Sequence, residues 1–396
     1  MTRGRNQTRK LSPALPAVLA VVMAAGLAVA GGCGGAHASS LALVHGTVID
    51  GTGAEPIPDG TVLIAGDRIV AVGPGAQVPV PEGARTIDLS GATVMPGFIN
   101  AHVHFGFSES NLESWARGGV TTVRDEGTSV SQVAGLTAFR ARVGADPKYA
   151  RLVSFGAMIA VPGGYGDLYV NSVDEARQAV EREAAEGVDG VKVAIEDGYA
   201  GTTGLPKLTP EELKAIVETA HAHGLPVSGH VTQGAYLAGL LDAGVDDVAH
   251  IPYDPVAQAD FARMVADDVY LVPTFTVYRN YNAPGGYVDQ LWYATKEGVK
   301  VALGNDYGGG PGDFELGIPM YEIETMATAG MTPMQIVVAS TRNAAHVAGL
   351  DDELGTLEAG KAADVLVVRG DPLADLQALR QVRLVVHAGV VIRDEG

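Results

Sequence analysis

The stretch TVMPGFINAHVHF, residues 93–105, decides the fold. It is an apolar run of strand length that ends on His102-Val103-His104. Residues two apart on a strand project to the same side, so both imidazoles leave the strand end together. Seven further runs follow, each succeeded by a helical pattern: VTTVRDEG (120–127), RLVSFGAMI (151–159), GVKVAI (190–195), LPVSGHV (225–231), VDDVAHI (245–251), VYLVPTF (269–275) and VKVALGND (299–306). Several intervening helices carry start signals. Ser172-x-x-Glu175, Thr209-Pro210-x-Glu212 and Thr332-Pro333-x-Gln335 each read as a capping box, two with Pro at the first helical position. Eight strands alternating with helices over about 250 residues is the size and rhythm of a (β/α)8 TIM barrel. A doubly wound open sheet would carry a glycine-rich phosphate fingerprint after its first strand, and none is present.

Outside this region the rhythm changes. Residues 41–89 alternate short β-rich runs with Gly, Pro and Asp turns, and the tail returns to ADVLVV and RLVVHAGVVI. The expected architecture is α/β: a barrel over 93–352, with a small β-sandwich domain formed from both chain ends (44–92 and 353–396).

The first residues are different again. Arg3, Arg5, Arg9 and Lys10 precede an apolar run from Leu11 to Ala30, then Gly31-Gly32-Cys33. That order predicts a secretory signal over 1–33 and a linker over 34–43. Cys33, the single cysteine, stands where a bacterial lipoprotein signal places its lipidated residue, although Ala30 replaces the usual Leu. The reading is export to the cell envelope or periplasm, with the membrane touched only through a lipid anchor at Cys33. A spanning helix is disfavoured by Ser12, Pro13 and Pro16. The chain of 396 residues is 47% hydrophobic and 18% charged, enough for a sizeable core. Its formal charge of −19 argues against nucleic acid as a partner and leaves a small molecule as the expected one.

The chemistry follows from where the histidines fall. Of ten, His102 and His104 end the first barrel strand, His230 the fifth and His250 the sixth, while Asp306 ends the eighth. Barrel active sites form at that face, so one cluster can gather all five. Burying several imidazoles and a carboxylate together calls for a partner charge, and a metal supplies one. Lys192 lies mid-run in the fourth strand, where a buried ammonium is costly unless paired. His221 and His223 sit late in a helix, where a cation suits the dipole. His37, His45, His346 and His387 are read as structural.

Taken in order, PGFINAHVHF, GVTTVRDEG, GVDGVKV, the SGHV and AHI histidines, LGND, and STRNAAHVAGL followed by LGTLEAGKAADVLVV resemble the amidohydrolase superfamily. The closest likeness is to its imidazolonepropionase-like and Xaa-Pro dipeptidase (prolidase) branch, over about 44–396. The resemblance implies a binuclear site, usually zinc: His102, His104 and Asp306 on one Zn2+, His230 and His250 on the other, and a carboxylated Lys192 bridging them with a hydroxide. It implies C–N hydrolysis, with Asp306 as general base and then general acid. Two loops depart from the branch. VPGGYGD (161–167) carries Tyr165 where a Gly-Gly-His segment is common, and residues 274–298 form a short seventh loop. Tyr165, Tyr278 and Arg279 are candidate substrate contacts, and Arg124 with Asp125 a candidate supporting pair. The alternatives are an esterase, lactonase or phosphotriesterase on the same site, a mononuclear deaminase, and a non-catalytic binding lipoprotein.

Overall fold

The computed structural model describes residues 40–198, 203–280, 285–309 and 315–396. Cys33 and the expected signal segment lie outside the described residues. The expected linker ends early, because Ser40 already begins a strand.

Both chain ends meet in one sheet. Its order is Val390–Asp394, Val382–His387, Val365–Arg369, Ala92–Pro96, Ser40–Val48, Ile57–Ala65, Arg68–Pro74, with Arg85–Asp88 attached beside Ser40–Val48. Ser40–Val48 pairs Arg85–Asp88 along its first half and Ala92–Pro96 along its second. The sheet therefore forks, and its pairing is that of one continuous sheet rather than the two facing sheets expected of a sandwich. The fork has a local cause. His45 adopts a left-handed φ of 64°, the register with Ile57–Ala65 shifts on both sides of Gly46, and a Cβ on Gly46 would stand 2.8 Å from Val94. Such a bulge bends and twists a strand.

The opening run 93–105 is thus two strands. Its first part, within Ala92–Pro96, pairs antiparallel with Val365–Arg369 in the end sheet. Pro96 brings no N–H to continue the ladder. Gly97 turns the chain against Thr121, whose hydroxyl a Cβ would meet at 2.3 Å. Phe98–Val103 then starts the parallel region.

That region has two parallel sheets. Phe98–Val103, Val120–Asp125 and Arg151–Ser154 form one; Leu168–Tyr169, Ile159–Ala160, Val191–Ala194, Val227–His230, Asp247–Ala249 and Tyr270–Val272 form the other. Phe98–Val103, Val120–Asp125, Val191–Ala194 and Val227–His230 are buried at every position, as strands covered on both faces require. The eighth run is not a regular strand. Bridges Leu271–Val301 and Val103–Tyr307, with Ala101 N donating to Leu303 O at 2.7 Å and Asp306 N to His102 O at 2.8 Å, seat it between Tyr270–Val272 and Phe98–Val103. The helices pack their apolar faces onto these strands. Thr209 and Thr332 close full capping boxes. Ser172 caps Glu175 N, but the Glu175 carboxylate turns to Asn171 instead of closing the box.

Candidate metal centre

Each strand end delivers its side chain to one place. His102 and His104 leave Phe98–Val103 and the residue after it, and both direct Nε2 at Asp306 Oδ1, at 3.3 and 3.1 Å. His230 ends Val227–His230, and its Nδ1 lies 2.8 Å from His250 Nε2. His250 Nδ1 is 3.9 Å from Asp306 Oδ2, and the His102 and His250 rings are 4.9 Å apart. His102, His230, His250 and Asp306 are buried, and His104 is partly so. His250 (φ 74°), Asp306 (φ 53°) and the neighbouring Thr274 (φ 56°) are left-handed without being glycine, a strain found where function fixes geometry.

Outer partners decide which ring nitrogen faces inward. His104 Nδ1 donates to Gly127 O at 2.8 Å. His230 Nε2 donates to Glu196 Oε2 at 3.1 Å, and Glu196 also accepts from Thr232 Oγ1 (2.6 Å), Gly198 N (2.8 Å) and Gln233 Nε2 (3.2 Å). His250 Nδ1 meets Thr274 Oγ1 at 2.7 Å. With its Nε2–H given to Glu196, His230 presents a bare Nδ1, so His250 supplies the proton of the 2.8 Å contact. A metal would replace that proton, and the Thr274 hydroxyl can turn from donor to acceptor.

The donor set fits a divalent cation. Zinc bonds of about 2.0–2.1 Å in a tetrahedron place ligand atoms roughly 3.3–3.4 Å apart, close to the 3.3 and 3.1 Å edges on Asp306. Donor atoms of His102, His250 and Asp306 all lie within 4.8 Å of one another. Burial, aided by the Lys192 charge, pulls His102 down to about 4. Burial also lowers His230 and takes His250 well below the usual imidazole range. All three are therefore neutral at pH 7, the form in which an imidazole can bind a cation. Burial opposes charge on His104 too, but Asp306 carries it up to about 9; Asp306 is held far below the carboxylate range against its own burial, by His102 and His104.

Lys192 is fully buried, and Ala194 on its strand pairs with His230 in register. Its amine is engaged by Glu126, a residue the sequence reading missed. Glu126 also meets Arg124 Nε at 2.8 Å, and Arg124 forms a bidentate pair with Asp247 (2.7 and 3.0 Å). Against the cost of burial, Arg124 and then Lys192 pull Glu126 down to about 2. Two cations and two anions form one buried chain of ion pairs.

The expected Arg124–Asp125 pair does not form. Neighbours on a strand face opposite ways, so Arg124 meets Glu126, two residues on, and Asp247. Asp125 instead accepts from Gly106 N (2.8 Å) and Gly127 N (3.3 Å), the glycine whose carbonyl holds His104. The loop candidates separate. Tyr165 lies over His230, centroids 4.6 Å apart. Tyr278 is buried 6.4 Å from the His250 ring and donates its hydroxyl to Ile251 O at 2.5 Å, so it walls the site. Arg279 lies over Tyr321, 4.4 Å from the ring centroid. His221 and His223 pair with Asp246 and Glu181, away from the centre.

The amidohydrolase family model matches residues 93–392, about three-quarters of the chain. The chain belongs to the amidohydrolase family. As a member it is an enzyme, a hydrolase of carbon–nitrogen bonds. Among its relatives, ochratoxinase of Aspergillus niger is 26% identical over 86% of this chain and 84% of its own length. Imidazolonepropionase of Caulobacter vibrioides is 27% identical over 78% of this chain and 88% of its own. The crystal structure of a Xaa-Pro dipeptidase with bound methionine in the active site superposes with a TM-score of 0.79 at 25% identity, covering 89% of this chain and 99% of that one.

Proposed function

We propose that this amidohydrolase is exported and metal-dependent, and cleaves the C–N bond of an amide, a dipeptide or a cyclic amide. One observation carries the reading: four imidazoles and the Asp306 carboxylate converge, with His102 and His104 Nε2 directed at Asp306 Oδ1 and His230 Nδ1 facing His250 Nε2. Its likeness to an ochratoxinase, an imidazolonepropionase and a Xaa-Pro dipeptidase supports the substrate class. The scaffold is read as a closed (β/α)8 barrel, supported by the bridges that seat the eighth run beside the first.

The metal is read as zinc, two ions per chain. His102, His104 and Asp306 would hold one and His230 and His250 the other, and Lys192, if its amine took up CO2 as a carbamate, would add an anionic oxygen donor. The nearness of Lys192 supports this, since its charge acts on His102, His230 and His250 alike. A divalent metal bound there supplies Lewis-acid polarisation of the scissile carbonyl and a water made acidic enough to attack. The chain does the rest. Asp306, whose Oδ1 meets His102 and His104, would take a proton from the attacking water through Oδ2 and deliver it to the leaving nitrogen. Tyr165, over His230, meets the substrate from one side, and Arg279 binds its far end. Export and a lipid anchor at Cys33 rest on the residue pattern of 1–33; no helix among the described residues is long and apolar enough to cross a membrane.

A second reading is favoured by one observation: Glu126 engages the Lys192 amine, and the close trio is His102, His250 and Asp306. That suits a single-metal hydrolase or deaminase with Lys192 as an ammonium. Metal counting on the purified protein, with a screen of N-acyl amino acids, dipeptides, cyclic amides and lactones, tests both. Two metals per chain and hydrolysis of an amide support the first reading. One metal with full activity selects the second, and no bound metal ends both.

A further inference from the structure

We infer that Glu322, on the helix Met320–Thr328, is a positioning residue that sets the orientation of His250. The inference rests on the metal-centre reading above. Glu322 is fully buried. Its Oε1 accepts from Phe275 N at 2.8 Å, and its Oε2 from Thr276 N and Thr276 Oγ1, both at 2.9 Å. These are the first residues of the helix Phe275–Asn280, whose leading N–H groups have no acceptor within the helix. Three donors on one carboxylate fix the backbone immediately after Thr274.

Thr274 needs such fixing. It is β-branched, buried and left-handed at φ 56°, a conformation such residues rarely hold unaided. In that conformation Thr274 Oγ1 reaches His250 Nδ1 at 2.7 Å. The route is continuous: Glu322 holds 275 and 276, these hold Thr274, and Thr274 holds the ring whose Nε2 faces His230. A second contact ties the same helices, Arg279 over Tyr321 at 4.4 Å. Met320–Thr328 also follows the run bearing Asp306, so the carboxylate links the unit that supplies Asp306 to the loop that orients His250. Removing it leaves two buried N–H groups without an acceptor and frees Thr274 to relax.

The test is zinc affinity of the full chain, measured by competition with a chromophoric chelator, for wild type, Glu322→Gln, Thr274→Val and the double variant. Outer partners of metal-binding histidines are worth about 10–100-fold in affinity. Glu322→Gln weakens zinc by about tenfold or more, Thr274→Val does likewise, and the double variant loses no more than the worse single, because both cut one route. The inference is overturned if Glu322→Gln binds zinc like wild type, or if the two losses multiply. Should Glu322→Gln not fold, Glu322→Asp keeps the charge but withdraws it by one methylene; its zinc affinity falls, and an unchanged value overturns the inference equally. Wild type that binds no zinc removes the metal-centre reading and this inference together, whereas normal wild-type binding with an unchanged variant removes only the role of Glu322.

Discussion

Replacing Glu196 with Gln asks whether the outer carboxylate chooses the nitrogen of His230 that faces the proposed metal. The substitution keeps size and removes charge, but the site leaves the new amide no comfortable pose. One oxygen of Glu196 takes Gly198 N and Gln233 Nε2; the other takes His230 Nε2 and Thr232 Oγ1. A backbone N–H cannot become an acceptor, so the amide oxygen must stay on the Gly198 side. The NH2 then faces His230 and Thr232. A hydroxyl can turn to accept, and so can His230, but only by moving its proton to Nδ1. That is the nitrogen 2.8 Å from His250, where a metal needs a lone pair. The variant therefore inverts the tautomer instead of merely loosening the ring. The expected loss lies toward the upper end of the 10–100-fold range for outer partners, about 2–3 kcal/mol. The assay is zinc competition on apoprotein at pH 7.5, with thermal unfolding of the apo forms run alongside. Glu196→Ala, which removes the partner without imposing a donor, should lose less than Glu196→Gln. Wild-type zinc affinity in Glu196→Gln, with an intact apo fold, refutes the tautomer argument.

Two further outcomes follow from packing and burial. A Cβ at Gly304 would stand 2.5 Å from Val272 Cγ1, 2.7 Å from His102 Cβ and 2.8 Å from His102 N; Gly304→Ala should cost about 1–3 kcal/mol of stability and lower the metal content of the purified protein, and normal metal content at unchanged stability would contradict it. Glu183 is buried on Val173–Glu186 with one acceptor bond, from Ala157 N at 2.6 Å, and burial pushes it up to about 8 from an ordinary 4.5. The folded state then holds a proton that the unfolded state has released, so stability is full below about pH 4.5 and falls as pH rises toward 8, by a ceiling of roughly 5 kcal/mol. Glu183→Gln stays neutral, so its urea midpoint should gain on wild type between pH 5 and 8.5; a pH-independent difference would rule this out.

What the sequence made legible, and what it hid, follows from the kind of partner each residue has. His102 and His104 were readable because strand period sets them on one side, and both do reach Asp306. The same period, applied to VRDEG, pairs Arg124 with Glu126 rather than with its neighbour Asp125, so that miss lay in the reading and not in the residues. Lys192 announced itself as a buried cation needing an anion, yet its anion stands just past the end of Val120–Asp125, and only topology brings Glu126 to it. The forked sheet was hidden because a strand's composition does not say which neighbours it divides; the bulge at His45 and Gly46 does. Glu196 and Glu322 were hidden for a deeper reason. Two of the three donors to Glu322 are backbone N–H groups, at Phe275 and Thr276, and Glu196 takes one, at Gly198, beside its three side-chain donors; every residue but proline carries such an N–H. A carboxylate whose partners are main-chain donors leaves no complementary side chain to find. In this fold the residues proposed to meet a metal are written in side-chain types at strand ends, while the residues that aim them are written in the path of the backbone. Loop changes can therefore retune the centre without touching a ligand.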